Sequence, residues 1–152
     1  MESPCQVREA TPADIAAMAE IERGVFSDPW SASAFRALLG PGALVAEDRE
    51  GLAGYVVARW MGDEGEILNL AVRPECRGRR LGRQLLDAAL ERLVARGAQS
   101  VYLEVRASNA HGQAFYRQAG FEEAGRRRDY YDKPREDALI FVRKTGAAGR
   151  PA

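Results

Sequence analysis

The sequence contains few of the residues that build metal and redox sites. Its 152 residues include two cysteines, Cys5 and Cys76, and one histidine, His111. Neither cysteine stands in a CxxC or Cys/His ligand spacing, so the sequence predicts no metal site and a reduced, cytoplasmic protein. His111 falls in the first turn of a predicted helix with an exposed position, and we assign it no catalytic role.

Long apolar runs and an excess of one charge are also missing. No run approaches the roughly 18 apolar residues of a membrane-spanning helix, and the first ten residues carry no apolar secretory core. The sequence therefore predicts no membrane contact. Lys plus Arg and Asp plus Glu both number 22, so direct nucleic-acid binding is not expected, although a local basic patch is left open.

Hydrophobic periodicity predicts one α/β domain with the order β-α-α-β-β-β-α-β-α-β-β. Thr11 should begin the first helix and Ser31 the second, since both are good N-cap residues. Leucines recurring at three and four residues predict a long third helix that ends near Gly97. The domain is expected to cover residues 1–144, with residues 145–152 as a disordered tail.

The stretch RGRRLGR, Arg77 to Arg83, lies where a predicted strand leads into the long helix. Backbone N–H groups at a helix start lack partners, and the helix dipole there is positive. Gly78 and Gly82 allow close backbone approach, and four arginines add charge, so the stretch suits a diphosphate. A solvated basic turn and an RNA contact are the alternatives.

The stretch LEVRASNAHGQAFY combines a strand with an asparagine-capped helix. Alternation places Glu104 opposite its two apolar neighbours, and Asn109 and Tyr116 are seven residues apart on one helix face. A carboxylate and a phenol can then face one cleft. The alternatives are a surface ion pair of Glu104 with Arg106 or Arg83, and a packing role for the tyrosine.

Three blocks, NLAVRPECRGRRLGRQLL, LEVRASNAHGQAFYRQAGF and RRRDYYDKPREDALI, resemble the GCN5-related N-acetyltransferases (GNAT). The resemblance runs from about Phe26 to Val142 and is strongest to the bacterial ribosomal-protein alanine N-acetyltransferases. It implies a mixed central sheet of about seven strands with four helices. It also implies a V-shaped opening between the fourth and fifth strands, where acetyl-CoA enters as co-substrate.

The resemblance implies a set of contacts to acetyl-CoA. Leu70, Ala71 and Val72 would offer backbone groups to the acetyl group and the pantetheine arm, which Asn109 would also contact. The residues expected around the diphosphate are Gly78, Arg79, Arg80, Leu81, Gly82 and Arg83. Arg80 stands where the family pattern has glycine; backbone donors do not require glycine there if φ stays negative, and we expect the Arg80 side chain to add a phosphate contact.

The resemblance also implies the chemistry. Glu104 would be the base, acting directly or through a water, and Tyr116 the acid or a hydrogen-bond donor to the thioester sulfur. Trp30, Tyr130 and Tyr131 would line a groove for an N-terminal peptide. The implied reaction is direct transfer to the N-terminal alanine of small-subunit ribosomal protein eighteen. The rival functions are acetylation of a small-molecule amine or a lysine, and a non-catalytic module that binds CoA or RNA.

Overall fold

The computed structural model describes residues 5–145, which form seven strands and four α-helices in the predicted order. The strands are β1 Gln6–Glu9, β2 Ala43–Asp48, β3 Gly51–Met61, β4 Glu64–Val72, β5 Ser100–Arg106, β6 Glu122–Asp132 and β7 Arg135–Lys144. The helices are α1 Ile15–Val25, α2 Ala32–Leu38, α3 Leu81–Ala95 and α4 Ala110–Gln118. Short 3-10 turns, Pro12–Asp14 and Pro74–Cys76, precede α1 and α3. The predicted α/β architecture is confirmed.

The strands form one sheet in the order β1-β2-β3-β4-β5-β7-β6. β4 and β5 are parallel, whereas β1–β2, β2–β3, β5–β7 and β6–β7 are antiparallel. The parallel ladder joins residues 64–67 to residues 100–103 and goes no further within these two described strands. β4 continues to Val72 and β5 to Arg106 beyond these paired residues, and the opening between the fourth and fifth strands stays a prediction.

Polar side chains fix where the first two helices begin. The backbone N–H of Thr11 donates to the Asp14 carboxylate at 2.7 Å, and this carboxylate also accepts from Arg8 at 2.8 Å. Thr11 thus starts the 3-10 turn that leads into α1. The Ser31 hydroxyl accepts the N–H of Ala34 at 3.2 Å, which confirms the predicted cap of the second helix.

The chain divides into two compact units, and the first comprises residues 5–58 and 69–92. Its largest buried apolar side chains come from α1, α2, α3 and the strands β2 and β3. They include Met18, Phe35, Leu44, Tyr55, Leu85 and Leu86. The leucine stripe that predicted α3 therefore packs in the core, as a 3.6-residue period requires.

The second unit comprises residues 59–68 and 93–145. Its core is built by Leu93, Val101, Leu103, Phe121 and Phe141, each at most 2% exposed. After β7, Thr145 is buried, and its hydroxyl donates to a backbone carbonyl at 2.8 Å. The chain is therefore packed as far as Thr145, while the rest of the predicted tail, residues 146–152, lies outside the described residues.

Candidate active site

Glu104 stands out on β5 because its neighbours are buried and its carboxylate is not. Leu103 and Val105 are 2% and 6% exposed, whereas the Glu104 side chain keeps 18% of its surface. Its Oε2 lies 2.5 Å from Nε of Arg127 on β6. The predicted alternation is confirmed, and the carboxylate is part of an ion pair across the sheet.

The partner of this ion pair differs from the predicted alternatives. Arg106 lies two residues along the same strand from Glu104, roughly 7 Å away, and its guanidinium stacks 4.2 Å from the Tyr131 ring centroid. Arg83 pairs with a carboxylate one turn along α3 at 3.0 Å. The ion pair that the structure shows for Glu104 is with Arg127, which was not among the predicted partners.

Tyr116 lies on α4, with its ring edge-on to two phenylalanines. The ring centroids are 5.1 Å from Phe115 and 5.8 Å from Phe121. Burial raises the pKa of Tyr116 above its usual value, and the charge of nearby Tyr131 on ionisation raises that pKa further. The phenol therefore stays protonated at neutral pH and can act as a hydrogen-bond donor.

Two consecutive tyrosines connect Tyr116 with Glu104. Burial, and next the charge of Glu104, raise the pKa of Tyr131 to about 12. Tyr130 is 50% exposed, and burial followed by the neighbouring Glu104 raises its pKa above the usual value. The tyrosine rings lie 5.1 Å apart at 83°. The structure thus gathers four predicted residues in the second unit: Glu104, Tyr116, Tyr130 and Tyr131.

A bulge in β6 sets the direction of these tyrosines. Arg127 pairs with Ala138 and Tyr131 with Glu136, so four steps along β6 match two steps along β7. Asp129 lies inside the bulge with φ 49°, and its N–H donates to a β7 carboxylate at 2.9 Å. Asp tolerates this left-handed conformation better than most residues. Bulges can re-aim the side chains beside them, and this one directly precedes Tyr131.

The turn before α3 contains two residues in the left-handed region. Gly78 has φ 89° and Arg80 has φ 61°. The negative φ that would let a residue other than glycine fit without strain is therefore not found at Arg80. The left-handed turn that the family pattern assigns to glycine is formed here by a residue with a Cβ, which is a strained conformation.

Backbone donors and arginines gather at the start of α3. The first helical bond runs from the N–H of Gln84 to the carbonyl of Arg80 at 3.0 Å, and the three N–H groups before it belong to the first turn, where a helix offers no acceptor. They belong to Leu81, Gly82 and Arg83. Arg77 and Arg80 are exposed, and Arg79 lies 3.4 Å from Asp48. This donor set suits an anion such as a diphosphate.

The backbone of β4 offers its N–H groups in two directions. Arg73 donates its N–H to a carbonyl of β3 at 2.8 Å. The carbonyl of Ala71 also faces β3, since a Cβ built on Gly54 would lie 2.7 Å from that oxygen. Backbone groups alternate along a strand, so the N–H groups of Leu70 and Val72 point away from β3. Of the three predicted backbone contacts, these two have the suitable direction.

Two more predicted residues are fixed by hydrogen bonds. Asn109 caps α4, with Oδ1 accepting the N–H of Gly112 at 2.8 Å, as the sequence predicted. Trp30 lies half-buried between α1 and α2. Its ring centroid is 5.2 Å from that of Phe35, and its backbone N–H donates to the Glu22 carboxylate at 2.9 Å. Their contacts to pantetheine and to the acceptor stay predictions.

Among residues 5–145, no group of three or more His, Cys, Asp or Glu side chains is placed to hold a metal ion. In the described part of the chain, every helix is too short or too polar to cross a membrane. His111 is exposed at the start of α4.

Comparison with known proteins identifies the family. The sequence profile of the acetyltransferase (GNAT) family matches residues 15–121. The chain belongs to the GNAT acetyltransferase family. The ribosomal protein bS18-alanine N-acetyltransferase of Salmonella typhimurium is 38% identical to this GNAT protein over 135 residues, which are 85% of this chain and 90% of that protein.

Solved structures agree with this assignment. The ribosomal-protein-S18-alanine N-acetyltransferase of Escherichia coli superposes with a TM-score of 0.84 at 33% identity, covering 92% of this chain and 93% of that one. Arabidopsis thaliana NAA60 in complex with acetyl-CoA gives 0.82 at 22% identity, covering 93% and 99% of the two chains. The second likeness shows the fold alone. The predicted GNAT fold is confirmed.

Sequence reasoning missed two charged residues of this GNAT protein, Arg127 and Glu22. Arg127 belongs to a run of three arginines, and the bulge hides which of them faces Glu104. Glu22 is only 2% exposed. Its signal was present in the sequence, since it continues the buried helical stripe formed by Ile15 and Met18.

Proposed function

We propose that this acetyltransferase transfers the acetyl group of acetyl-CoA to the α-amino group of a protein N-terminus. The proposed acceptor is the N-terminal alanine of ribosomal protein bS18, the substrate named for the Salmonella and Escherichia coli relatives. The observation that carries the proposal is the cluster of the Glu104 carboxylate with the tyrosines 116, 130 and 131 in one compact unit. An enzyme with this acceptor acts in the cytoplasm, where ribosomes are assembled.

Glu104 takes the proton of the acceptor amine, directly or through a water. An α-amine has a pKa near 8 and a lysine amine about 10.4, so deprotonation at pH 7 costs about 1 to 1.5 kcal/mol for the first and 4 to 5 for the second. A single carboxylate base therefore favours an N-terminus. The Arg127 side chain is 58% exposed, so solvent screens its pairing with Glu104 and the guanidinium can move aside.

The neutral amine then attacks the thioester carbonyl carbon, so that one C–N bond forms and one C–S bond breaks. Tyr116 donates its proton, or a hydrogen bond, to the departing sulfur. Its raised pKa keeps that proton in place until negative charge develops on the sulfur. The N–H groups of Leu70 and Val72 hold the thioester oxygen and the pantetheine arm.

The remaining residues bind the two substrates. Asn109 uses its amide NH₂ group on the pantetheine arm, since its oxygen caps α4. The diphosphate is held by Gly78, Arg79, Arg80, Leu81, Gly82 and Arg83. Trp30, Tyr130 and Tyr131 line the groove for the acceptor peptide. No metal takes part in this scheme.

Glu104→Gln tests the base. We expect kcat for an alanine-initiated peptide to fall by about 10² to 10⁴-fold at pH 7, with the affinity for acetyl-CoA retained. The loss should shrink above the acceptor amine pKa of about 8, where the neutral amine forms without help. Glu123→Gln is the matched control, because Glu123 is also ion-paired, with Arg117 at 3.3 Å, in the same unit. Equal rates in both variants would remove Glu104 from the mechanism.

A further inference from the structure

Glu22 is a buried carboxylate on the last turn of α1 that binds groups from three separate segments. Its Oε2 accepts the backbone N–H of Trp30 at 2.9 Å. Its Oε1 accepts from Nδ2 of Asn69 at 2.7 Å and from the Tyr55 hydroxyl. Glu22 thereby links the loop between α1 and α2 with β4.

The contact with Glu22 fixes the orientation of the Asn69 amide. Both Glu22 oxygens accept hydrogen bonds, so Asn69 must turn its NH₂ group toward them. The amide oxygen then faces the other way and accepts the N–H of Leu70 at 3.0 Å. This N–H belongs to one of the two predicted contact residues, Leu70 and Val72, whose N–H groups point away from β3. A continuous hydrogen-bond chain therefore runs from Leu70 through Asn69 and Glu22 to Trp30.

A carboxylate is a costly choice for this position if its task is only to fill the core. Glu22 follows Ile15 and Met18 on the buried face of α1, where an apolar side chain would bury surface without desolvating polar oxygens. Two of its three partners belong to segments assigned above to substrate binding. The arrangement therefore suits a residue that positions those segments.

We propose that Glu22 is a positioning residue of the acetyltransferase site, holding the Trp30 loop directly and the Leu70 N–H through Asn69. The identity of what these segments bind rests on the proposed function. When a thioester oxygen takes the Leu70 N–H, the Asn69 oxygen loses that donor. The loss of this hydrogen bond then affects Glu22 and Trp30 through the other hydrogen bonds of the network.

Glu22→Gln and Tyr55→Phe form the matched pair of kinetic tests. Each removes one hydrogen bond at Glu22, so both should lower the melting temperature. A glutamine has one acceptor oxygen, so it cannot serve Trp30 and Asn69 as Glu22 does. We expect kcat/KM for the alanine peptide to fall about tenfold or more in Glu22→Gln and to stay near wild type in Tyr55→Phe. Equal kinetic losses in the two variants would overturn the proposal.

Asn69→Ala keeps the test decisive if Glu22→Gln folds poorly, because Asn69 is only partly buried. It breaks the chain at its middle, so kcat/KM should fall as in Glu22→Gln. In the double variant the two losses should overlap rather than add, as expected for residues that act through one network. Wild-type kinetics in Asn69→Ala would contradict the chain.

Tryptophan fluorescence gives a readout that needs no acetyl transfer. Trp30 and Trp60 are the two tryptophans, so Trp60→Phe leaves Trp30 as the only reporter. We expect acetyl-CoA to shift Trp30 emission in this background, and Glu22→Gln to abolish the shift while calorimetry still shows binding. An unresponsive Trp30, or a shift that survives Glu22→Gln, would overturn the proposal. If acetyl-CoA shifts the Trp30 emission but the protein acetylates no peptide, the proposed function is contradicted and the positioning role of Glu22 is not.

Discussion

Replacing Arg80 by glycine should stabilise the fold, although it removes a side chain from the proposed diphosphate site. Arg80 has φ 61°, and the left-handed conformation costs a residue with a Cβ about 1 to 2 kcal/mol. Glycine avoids that cost, but its greater conformational freedom stabilises the unfolded chain by about 0.4 to 1 kcal/mol. Arg80→Gly should therefore raise the free energy of unfolding by about 0.5 to 1 kcal/mol.

Arg77→Gly provides the control, because Arg77 lies in the same exposed loop with φ −70°. No strain is relieved there, so the free energy of unfolding should fall by about 0.4 to 1 kcal/mol. Urea unfolding of both variants, with an unchanged m value, measures the two effects. Opposite signs are expected. Equal losses in both variants would refute the strain at Arg80.

Three further results are expected. Gly54→Ala should lower the free energy of unfolding by about 1 to 3 kcal/mol, because its Cβ would lie 2.7 Å from a backbone oxygen; Gly24→Ala, with nothing within 4 Å, should raise it by up to about 1 kcal/mol. Burial raises the pKa of Tyr55. Its ionisation should therefore leave the free energy of unfolding unchanged below pH 10 and lower it above pH 10, because Tyr55 ionises near pH 10 only in the unfolded chain. Melting temperatures followed against pH should fall less steeply in Tyr55→Phe. Tyr116→Phe should lower kcat in a peptide acetylation assay by about 10² to 10⁴-fold, whereas Tyr102→Phe should not. Equal rates in the two variants would leave Tyr116 with a packing role only.

Local patterns were enough to predict the elements that carry the site. Alternation in SVYLEVR gave β5 and the outward direction of Glu104, and Asn109 marked the start of α4. The stripe of leucines predicted α3. Each of these signals lies within one element, where side-chain period and capping chemistry decide the structure.

Contacts that depend on distant residues could not be predicted in the same way. The partner of Glu104 is Arg127, and the register that brings them together contains a bulge with Asp129 at positive φ. The conformation of Arg80 follows from the turn into α3 rather than from its own preference. The helical stripe indicated the burial of Glu22 but not its partners Trp30, Tyr55 and Asn69, which come from three different segments.

Two features of this protein are unfavourable on local grounds; one lies within a proposed binding segment and the other contacts two of them. Arg80 holds a strained backbone conformation, and Glu22 is a carboxylate in the core of the first unit. Departures of this kind from locally favourable choices concentrate at functional sites. The stabilising change at Arg80 should accordingly weaken acetyl-CoA binding, most clearly at low salt, because a positive charge is lost.

Mass spectrometry of peptides incubated with the protein and acetyl-CoA tests the central claim most directly. The set contains an alanine-initiated bS18 peptide, the same peptide with a blocked N-terminus and an internal lysine, and spermidine. We expect one added acetyl group on the free-alanine peptide and none on the other two. Acetylation of the blocked peptide or of spermidine alone would contradict N-terminal acetylation and leave a GNAT enzyme with a different acceptor.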